Sequence, residues 1–399
     1  MPKSPSYCRI VKIVYHVFIL EVILIMKKKK EYCSLGIMSG TSLDGLDFSF
    51  IKTDGISNIK IIFNQYYKFN EEFKNEIKNL IIKLNNSDYE KALNSEEFIS
   101  LNKRFSDLII KKTKIFLSKN SLEKSSLDVI GLHGNTILHR PENGISIQLG
   151  DPIYLSKKLM IDVIANFRKN DIQNLGQGAP LVPIYHQCQF GDSKNNIMVV
   201  NIGGISNFSY LVGKNKFFAS DIGPGNKLID EYCEKNMNCN FDKNGKLSSK
   251  GELLNDLVNN WKKKKFLKLN HPTSFDNFSF KVKDFVRDQK ENHFDILRTL
   301  TFFSAFIISN LTKKNNYEVN KWIFTGGGVR NETLMNDLKS LLGESNIYSS
   351  EDYNVDPFFV ESIAFAFISV RTLKNLPSTF PSTTGCEKPS VSGNLYSYY

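Results

Sequence analysis

Residues 36–51 read GIMSGTSLDGLDFSFI, and residues 199–212 read VVNIGGISNFSYLV. Each stretch is an apolar run, a turn of small residues and a second apolar run, the pattern of a β-hairpin with a glycine-rich tip. The first predicts strands over 32–38 and 46–52, joined by Ser39-Gly40-Thr41-Ser42-Leu43-Asp44-Gly45. The second predicts strands over 198–202 and 208–212, joined by Gly203-Gly204-Ile205-Ser206-Asn207. Recurrence of this unit at long spacing argues for two similar α/β halves. At 399 residues the chain can support two cores with a cleft between them.

Outward from the first hairpin, helical spacing of Phe73, Ile77, Leu80 and Ile81 predicts a helix over 71–84. Phe98, Leu101, Phe105, Leu108 and Ile109 predict another over 96–118. A short strand over 128–132 runs into His133-Gly134-Asn135-Thr136, where a sharp turn is expected. Outward from the second hairpin, a third strand over 217–220 ends at Asp221. A strand over 321–324 enters Thr325-Gly326-Gly327-Gly328, and helices follow over 332–342 and 357–373. The division this predicts is an N-terminal extension at 1–31, a first half at 32–193 and a second at 194–399.

Hydrophobic residues make up 41% and charged residues 23% of the chain, the balance of a folded globular protein. The formal charge is +11, but the lysines are scattered and seven basic residues lie in the first 30 positions, so no nucleic-acid-binding element is expected. Six dispersed cysteines make no disulfide scaffold, and Cys233 and Cys239 have no second Cys or His pair at zinc spacing. A reducing cytoplasm fits that usage. The apolar stretch 10–26 is interrupted by Lys12, His16 and Glu21 and falls short of the roughly 20 residues of a membrane span. A disordered or artefactual extension is the expectation there, with a membrane anchor or a partner-binding helix as the alternatives.

Glycine turns carry the chemistry, because only glycine lets backbone amides approach a phosphate this closely. In Gly40-Thr41-Ser42-Leu43-Asp44-Gly45, hydroxyls can donate to phosphate oxygens and Asp44 can hold Mg²⁺ directly or through water. The same pattern also serves an inert hairpin. It is not a P-loop, since a strand follows it where a P-loop has a helix. Asp221-Ile222-Gly223-Pro224-Gly225-Asn226 sets a carboxylate before a tight turn into a helix, either as a cleft-facing acid or as a helix cap. Thr325 to Gly328 suits a nucleotide lying across a helix N-terminus. Arg168 can grip a carboxylate bidentately or serve as an ordinary interdomain arginine. His133 either touches substrate or satisfies neighbouring backbone. His139, His186, His271 and His293 form no metal spacing and read as structural.

The blocks GIMSGTSLDGLD, GLHGNTILHRP, IQLGDP, NLGQGAPLVPIYHQ, VVNIGGISNFS, DIGPGNKLID and TGGGVRNETL, with the tail LPSTFPSTTGCEKPSVSG, occur in an order that resembles the anhydro-N-acetylmuramic acid kinase family from about residue 35 to 393. The resemblance implies α/β architecture with two actin-like (ribonuclease-H-like) domains, ATP with Mg²⁺ in the cleft between them, and a homodimer. It also implies hydrolytic opening of a 1,6-anhydro sugar coupled to phosphorylation of its 6-oxygen. By that similarity Asp221 is the general base. Gly40, Thr41, Ser42, Leu43, Asp44, Gly45 and Asp47 match a nucleotide-phosphate segment. Gly204, Gly223, Gly225, Asn226, Gly326, Gly327 and Gly328 complete the nucleotide candidates, while His133, Arg168 and Glu361 are the substrate candidates. Two positions depart from the pattern. Asn166 stands where the family has Asp in ADFR, and Thr273 stands where it often has Lys in PKS. The competing readings are another sugar or acetate-type kinase, a chaperone-like ATPase, for which no peptide-binding domain fits in the remaining sequence, and an inactive binding protein.

Overall fold

The computed structural model describes residues 30–399 except 41, 87–88, 215, 270, 276–278 and 287–290. The expectations for residues 1–29 and for Thr41 therefore lie outside the described residues.

Both hairpins form, and each grows into its own sheet of the same plan. Strands β1 (Tyr32–Ser39), β2 (Gly45–Thr53) and β3 (Ile59–Lys68) make an antiparallel meander. Parallel to β1 runs β4 (Val129–Arg140), followed outward by β6 (Val163–Ala165), and β5 (Ile145–Leu149) pairs back onto β4. In the second sheet, β7 (Asn196–Ile202), β8 (Ile205–Val212) and β9 (Lys216–Pro224) repeat the meander. Next to β7 lie the parallel strands β10 (Lys321–Thr325) and β11 (Ile347–Ser349). This repeated order, three antiparallel strands and then parallel additions, is the two-part actin-like architecture. The helices Glu71–Asn86, Glu96–Lys119 and Glu332–Leu342 form where apolar periodicity put them.

Each sheet has its own core, and a third core joins them. Helix Val360–Leu373 lies in that joining layer, with Ile363, Ala364, Phe367 and Ile368 wholly buried between Ile51, Val129 and Ile164 of one sheet and Val199, Leu211 and Ile323 of the other. Buried on nearly every side, it is apolar all round, where a surface helix would carry a single stripe. Its backbone presses so close to β1 that a Cβ at Gly36 would sit 1.8 Å from the Ser362 carbonyl oxygen. Ser49–Ser362 and Ser34–Ser369 hydroxyl pairs, at 2.7 and 2.9 Å, satisfy the polar atoms trapped in the contact. The last strand, β12 (Asn394–Tyr396), pairs antiparallel with β6, so residues 360–399 end against the first sheet.

Helix His293–Asn315 is long and apolar enough to cross a membrane, yet its Leu297, Leu300, Phe303 and Ile308 are core residues of the second half. The five described cysteines are free, and among the described residues no cluster of three His, Cys, Asp or Glu could hold a metal by itself.

Two expectations change. The chain does not turn at His133: β4 continues to Arg140, and the register with β1 slips between Ile37 and Met38 so that His133 is the extra residue of a bulge. Nor does β9 stop at Ser220. It runs on to Pro224, with Ile222 extra where Ser206 pairs Gly223 and Asn207 pairs Asp221. A bulge bends a strand and re-aims its side chains, and it looks like a strand end when only apolar alternation is read.

Candidate active site

The first half contributes a pinned turn and a buried ring. Asn135, on β4, donates from its amide to the Ser39 and Gly40 carbonyls at 3.3 and 2.9 Å, fixing the start of the β1–β2 turn. Leu43 adopts a left-handed φ of 57° with its side chain buried, which leaves Ser42 and Asp44 on the outside. Asp44 is paired with Lys74 at 2.9 Å. The His133 ring, set by its bulge, packs at 4.4 Å on Phe365. Its Nε2 faces an Arg168 Nη at 3.0 Å and so must accept, which leaves Nδ1–H to donate to the Gly134 carbonyl at 3.0 Å. Arg168 donates its other Nη to Gly178 at 2.8 Å, and its buried Nε has no partner. Both ends of the guanidinium fork thus already touch protein, and its remaining hydrogens are what a ligand could meet.

In the second half three turns stack on one another. Gly225 and Asn226 donate backbone N–H groups to the Gly204 and Gly203 carbonyls at 2.9 and 2.8 Å. A Cβ at Gly225 would lie 2.4 Å from the Gly203 oxygen, and one at Gly326, where φ is 83°, would lie 2.2 Å from Asn201 Oδ1. These glycines are demanded by turn-to-turn packing. Gly40 and Gly327, by contrast, would meet nothing closer than 3.8 and 3.7 Å, so theirs is backbone open to a ligand. The expected junction from β10 into a helix contains a 3-10 turn, Gly327–Arg330, before Asn331 caps helix Glu332–Leu342 by accepting from Leu334 N–H. Asp221 is buried on β9. Its N–H donates to the Thr273 carbonyl at 2.9 Å, and its Oδ2 accepts from Phe275 N–H at 2.7 Å.

Electrostatics join the halves. Burial raises the Asp221 carboxyl to about 7 against the pull of the Phe275 N–H, the Arg168 charge and the Ser274 side chain. Burial also lowers the Arg168 pKa, opposed by Glu361, Asp221 and Asp171. Glu361, at the start of helix Val360–Leu373, is pushed up by burial and restrained by Arg168. Asp47 rises to about 7 through burial and the neighbouring Glu361, Asp356 and Asp44. In the second half Asp230 reaches about 7, through burial first and Asp44 next. The Asp44 charge of the first half therefore reaches Asp230 of the second, and Arg168 and Asp221 act on each other. The carboxylate on β9 thus lies within electrostatic reach of Arg168 from the first half.

The anhydro-N-acetylmuramic acid kinase family model matches residues 32–398. The chain is a member of the anhydro-N-acetylmuramic acid kinase family. It is 36% identical over 387 residues to the anhydro-N-acetylmuramic acid kinase of Pelagibacter ubique, covering 93% of this chain and 100% of that one. It is 32% identical to that of Neisseria meningitidis serogroup B over 91% of this chain and 98% of the relative. Among solved structures, the activator of the 2-hydroxyisocaproyl-CoA dehydratase from Clostridium difficile aligns over 86% of this chain and 96% of that one at a TM-score of 0.42 and 10% identity, too loose a likeness to carry an argument.

The positions of both departures from the anhydro-N-acetylmuramic acid kinase pattern are tied into the local structure. Asn166 takes a left-handed φ of 58°, a conformation Asn tolerates, and donates to the Tyr396 hydroxyl at 2.5 Å, fastening β12. Thr273 holds Asp221 and Ser220 through its backbone, which does not depend on the side chain present. Reading by residue type passed over Asn201, Asp230 and Asp356. Asn201 lies under Gly326 and donates to Glu361 Oε1 at a long 3.4 Å, and Asp230 lies within the quoted DIGPGNKLID block. Those quoted blocks were the available signal for Asn201 and Asp230.

Proposed function

We propose that this chain phosphorylates 1,6-anhydro-N-acetylmuramic acid with ATP, giving N-acetylmuramic acid 6-phosphate in cell-wall recycling and amino-sugar catabolism. The observation that supports the reading is that Asp221, Arg168 and Glu361, from three distant segments, lie close enough for the Arg168 charge to act on both carboxyls.

Asp221 removes a proton from a water beside the anomeric carbon. A carboxyl near 7 is suited to this, being basic enough to take the proton and largely ionised above neutrality. As the water oxygen bonds to that carbon, its bond to the 6-oxygen breaks. The released 6-oxygen attacks the γ-phosphorus, the bond to the β-phosphate oxygen breaks, and ADP leaves. The water's proton rests on Asp221 until solvent takes it. Arg168 offsets the charge of the substrate's carboxylate and of the ionised base, and His133 and the Gly178 carbonyl hold the guanidinium in place. Amides of the open turns at Gly40 and Gly327 approach the nucleotide, and alignment supplies most of the acceleration.

Asp47 or Asp230 could each supply a single carboxylate to Mg²⁺. Asp47 and Asp230 are carboxyls whose ionisation a divalent cation would favour, while Asp44 is engaged by Lys74. One or two carboxylates with phosphate oxygens and water are what Mg²⁺ usually takes, and when bound it would neutralise charge on the phosphates. A cytoplasmic homodimer follows from the family resemblance and the cysteine usage.

The test is turnover of the anhydro sugar against ordinary N-acetylmuramic acid, with ATP and Mg²⁺. Strong preference for the anhydro sugar supports the reading, whereas equal phosphorylation of both points to a conventional sugar kinase.

A further inference from the structure

The segment 271–275 crosses β9 beside the base and is stapled to it at Ser220. The Ser220 hydroxyl accepts from Thr273 N–H at 2.8 Å, and its own proton has the carbonyls of Asp221 and Thr273 within 3.0 and 3.1 Å. The Nδ1 of His271 approaches the same oxygen at 2.6 Å. With the hydroxyl proton directed at the carbonyls, Nδ1 carries a hydrogen and donates, so Nε2, buried with no hydrogen-bond partner, holds the lone pair. The ring packs edge-on to Phe208 at 5.2 Å, which fixes its plane. Two residues further on, the same segment delivers Phe275 N–H to Asp221 Oδ2 at 2.7 Å.

We propose that Ser220 and His271 are positioning residues for the reaction: the imidazole locks the serine hydroxyl, the hydroxyl locks Thr273, and the segment so held aims Phe275 N–H at one oxygen of the Asp221 carboxylate. The Ser274 hydroxyl also bonds the carboxylate, and the acceptor sites that remain are left to face the reacting water. This rests on the reading of Asp221 as the base. Neither side chain touches substrate, and neither changes its protonation in the cycle. Burial and the nearby Lys314 hold His271 near 4, so it stays neutral at working pH. Among the described residues, the charged neighbour acting on Asp221 is Arg168, which the staple leaves untouched.

The test compares His271→Phe, which keeps a flat ring without the donor, with His271→Asn, whose amide can donate from about the same place. Ser220→Ala is the companion variant. His271→Phe and Ser220→Ala should lower kcat by about tenfold to a hundredfold, the scale of a small misplacement of a reacting group, with KM for ATP within about twofold of the parent. With the Phe275 N–H loosened, the carboxylate loses a donor and its pKa rises, so the acidic limb of kcat/KM moves to higher pH in both. His271→Asn should recover most of the rate and restore the limb. The proposal is overturned if His271→Phe keeps kcat and the pH limb, or if kcat falls with a lower melting temperature and no shift of the limb. Asp221→Asn separates the two ideas. If it remains active, the base assignment fails. If it is inactive while His271→Phe and Ser220→Ala behave as the parent does, the base stands and the staple has no part in the reaction.

Discussion

The β1–β2 and β7–β8 turns begin as the same motif and end in opposite surroundings. The first is held from behind by Asn135 and by the buried Leu43, and its Gly40 backbone faces open space. The second is roofed by the Gly225 turn and flanked by the Gly326 turn, each so close that a single methyl would collide. One strand-turn-strand unit thus serves twice, once as a loosely packed turn and once as the floor of a packed platform. On the proposed reading, glycine at the first is there for the nucleotide that approaches it. Glycine at the second is there for what already lies against it.

The largest effect that bears on this contrast comes from the platform's carboxylate. Asp221→Asn should lower kcat by about 10²–10⁴, the range for a general base, while calorimetry finds ATP affinity little changed. In the parent enzyme kcat/KM should fall as pH drops below about 7, because protonation removes the base. A profile flat down to pH 5 would contradict the assignment.

Next come the glycines. Gly225→Ala forces a Cβ to 2.4 Å from a backbone oxygen that cannot swing aside, so the fold should lose about 1–3 kcal/mol, read as a lower melting temperature. Gly40→Ala meets nothing closer than the Ser42 hydroxyl at 3.8 Å, so its melting temperature should hold while KM for ATP rises several-fold. Reversal of the two outcomes would break the comparison.

The smallest effect is on stability. Asp47, Asp221 and Asp230 lie near 7 in the folded chain, well above unfolded carboxyls, so the fold binds protons more tightly than the unfolded chain does. Their favourable contribution is full at low pH, below the unfolded pKa, and is lost as pH rises through about 7. Without ligand, Asp230→Asn should therefore lose less melting temperature than the parent between pH 6 and pH 8, by roughly 2 °C.

Much of the fold was legible because hairpin alternation and helical periodicity are local signals. Helix Glu332–Leu342 has the predicted bounds, and Glu96–Lys119 extends the prediction by one residue. Residues 357–373 read as a helix, which starts at Val360, but an all-round apolar face says only that it is buried, and not that it lies between two sheets. Likewise nothing in Asn394–Tyr396 announces pairing with β6, 229 positions earlier at the closest register. The bulges at His133 and Ile222 were invisible because both depend on how partner strands slip. Of the site, the glycine turns and Asp221 could be found from residue type. The approach of Asp230 to Asp44, and the staple at Ser220, arise only once the halves are folded.

The most direct test of the carboxylate's role follows the oxygen. Turnover of the anhydro sugar in ¹⁸O-labelled water, with ATP and Mg²⁺, should place the label on the anomeric hydroxyl and none in the 6-phosphate ester oxygen. Label in the ester oxygen, or its absence from the anomeric position under conditions where the ring does not exchange, would mean that water is not activated beside Asp221.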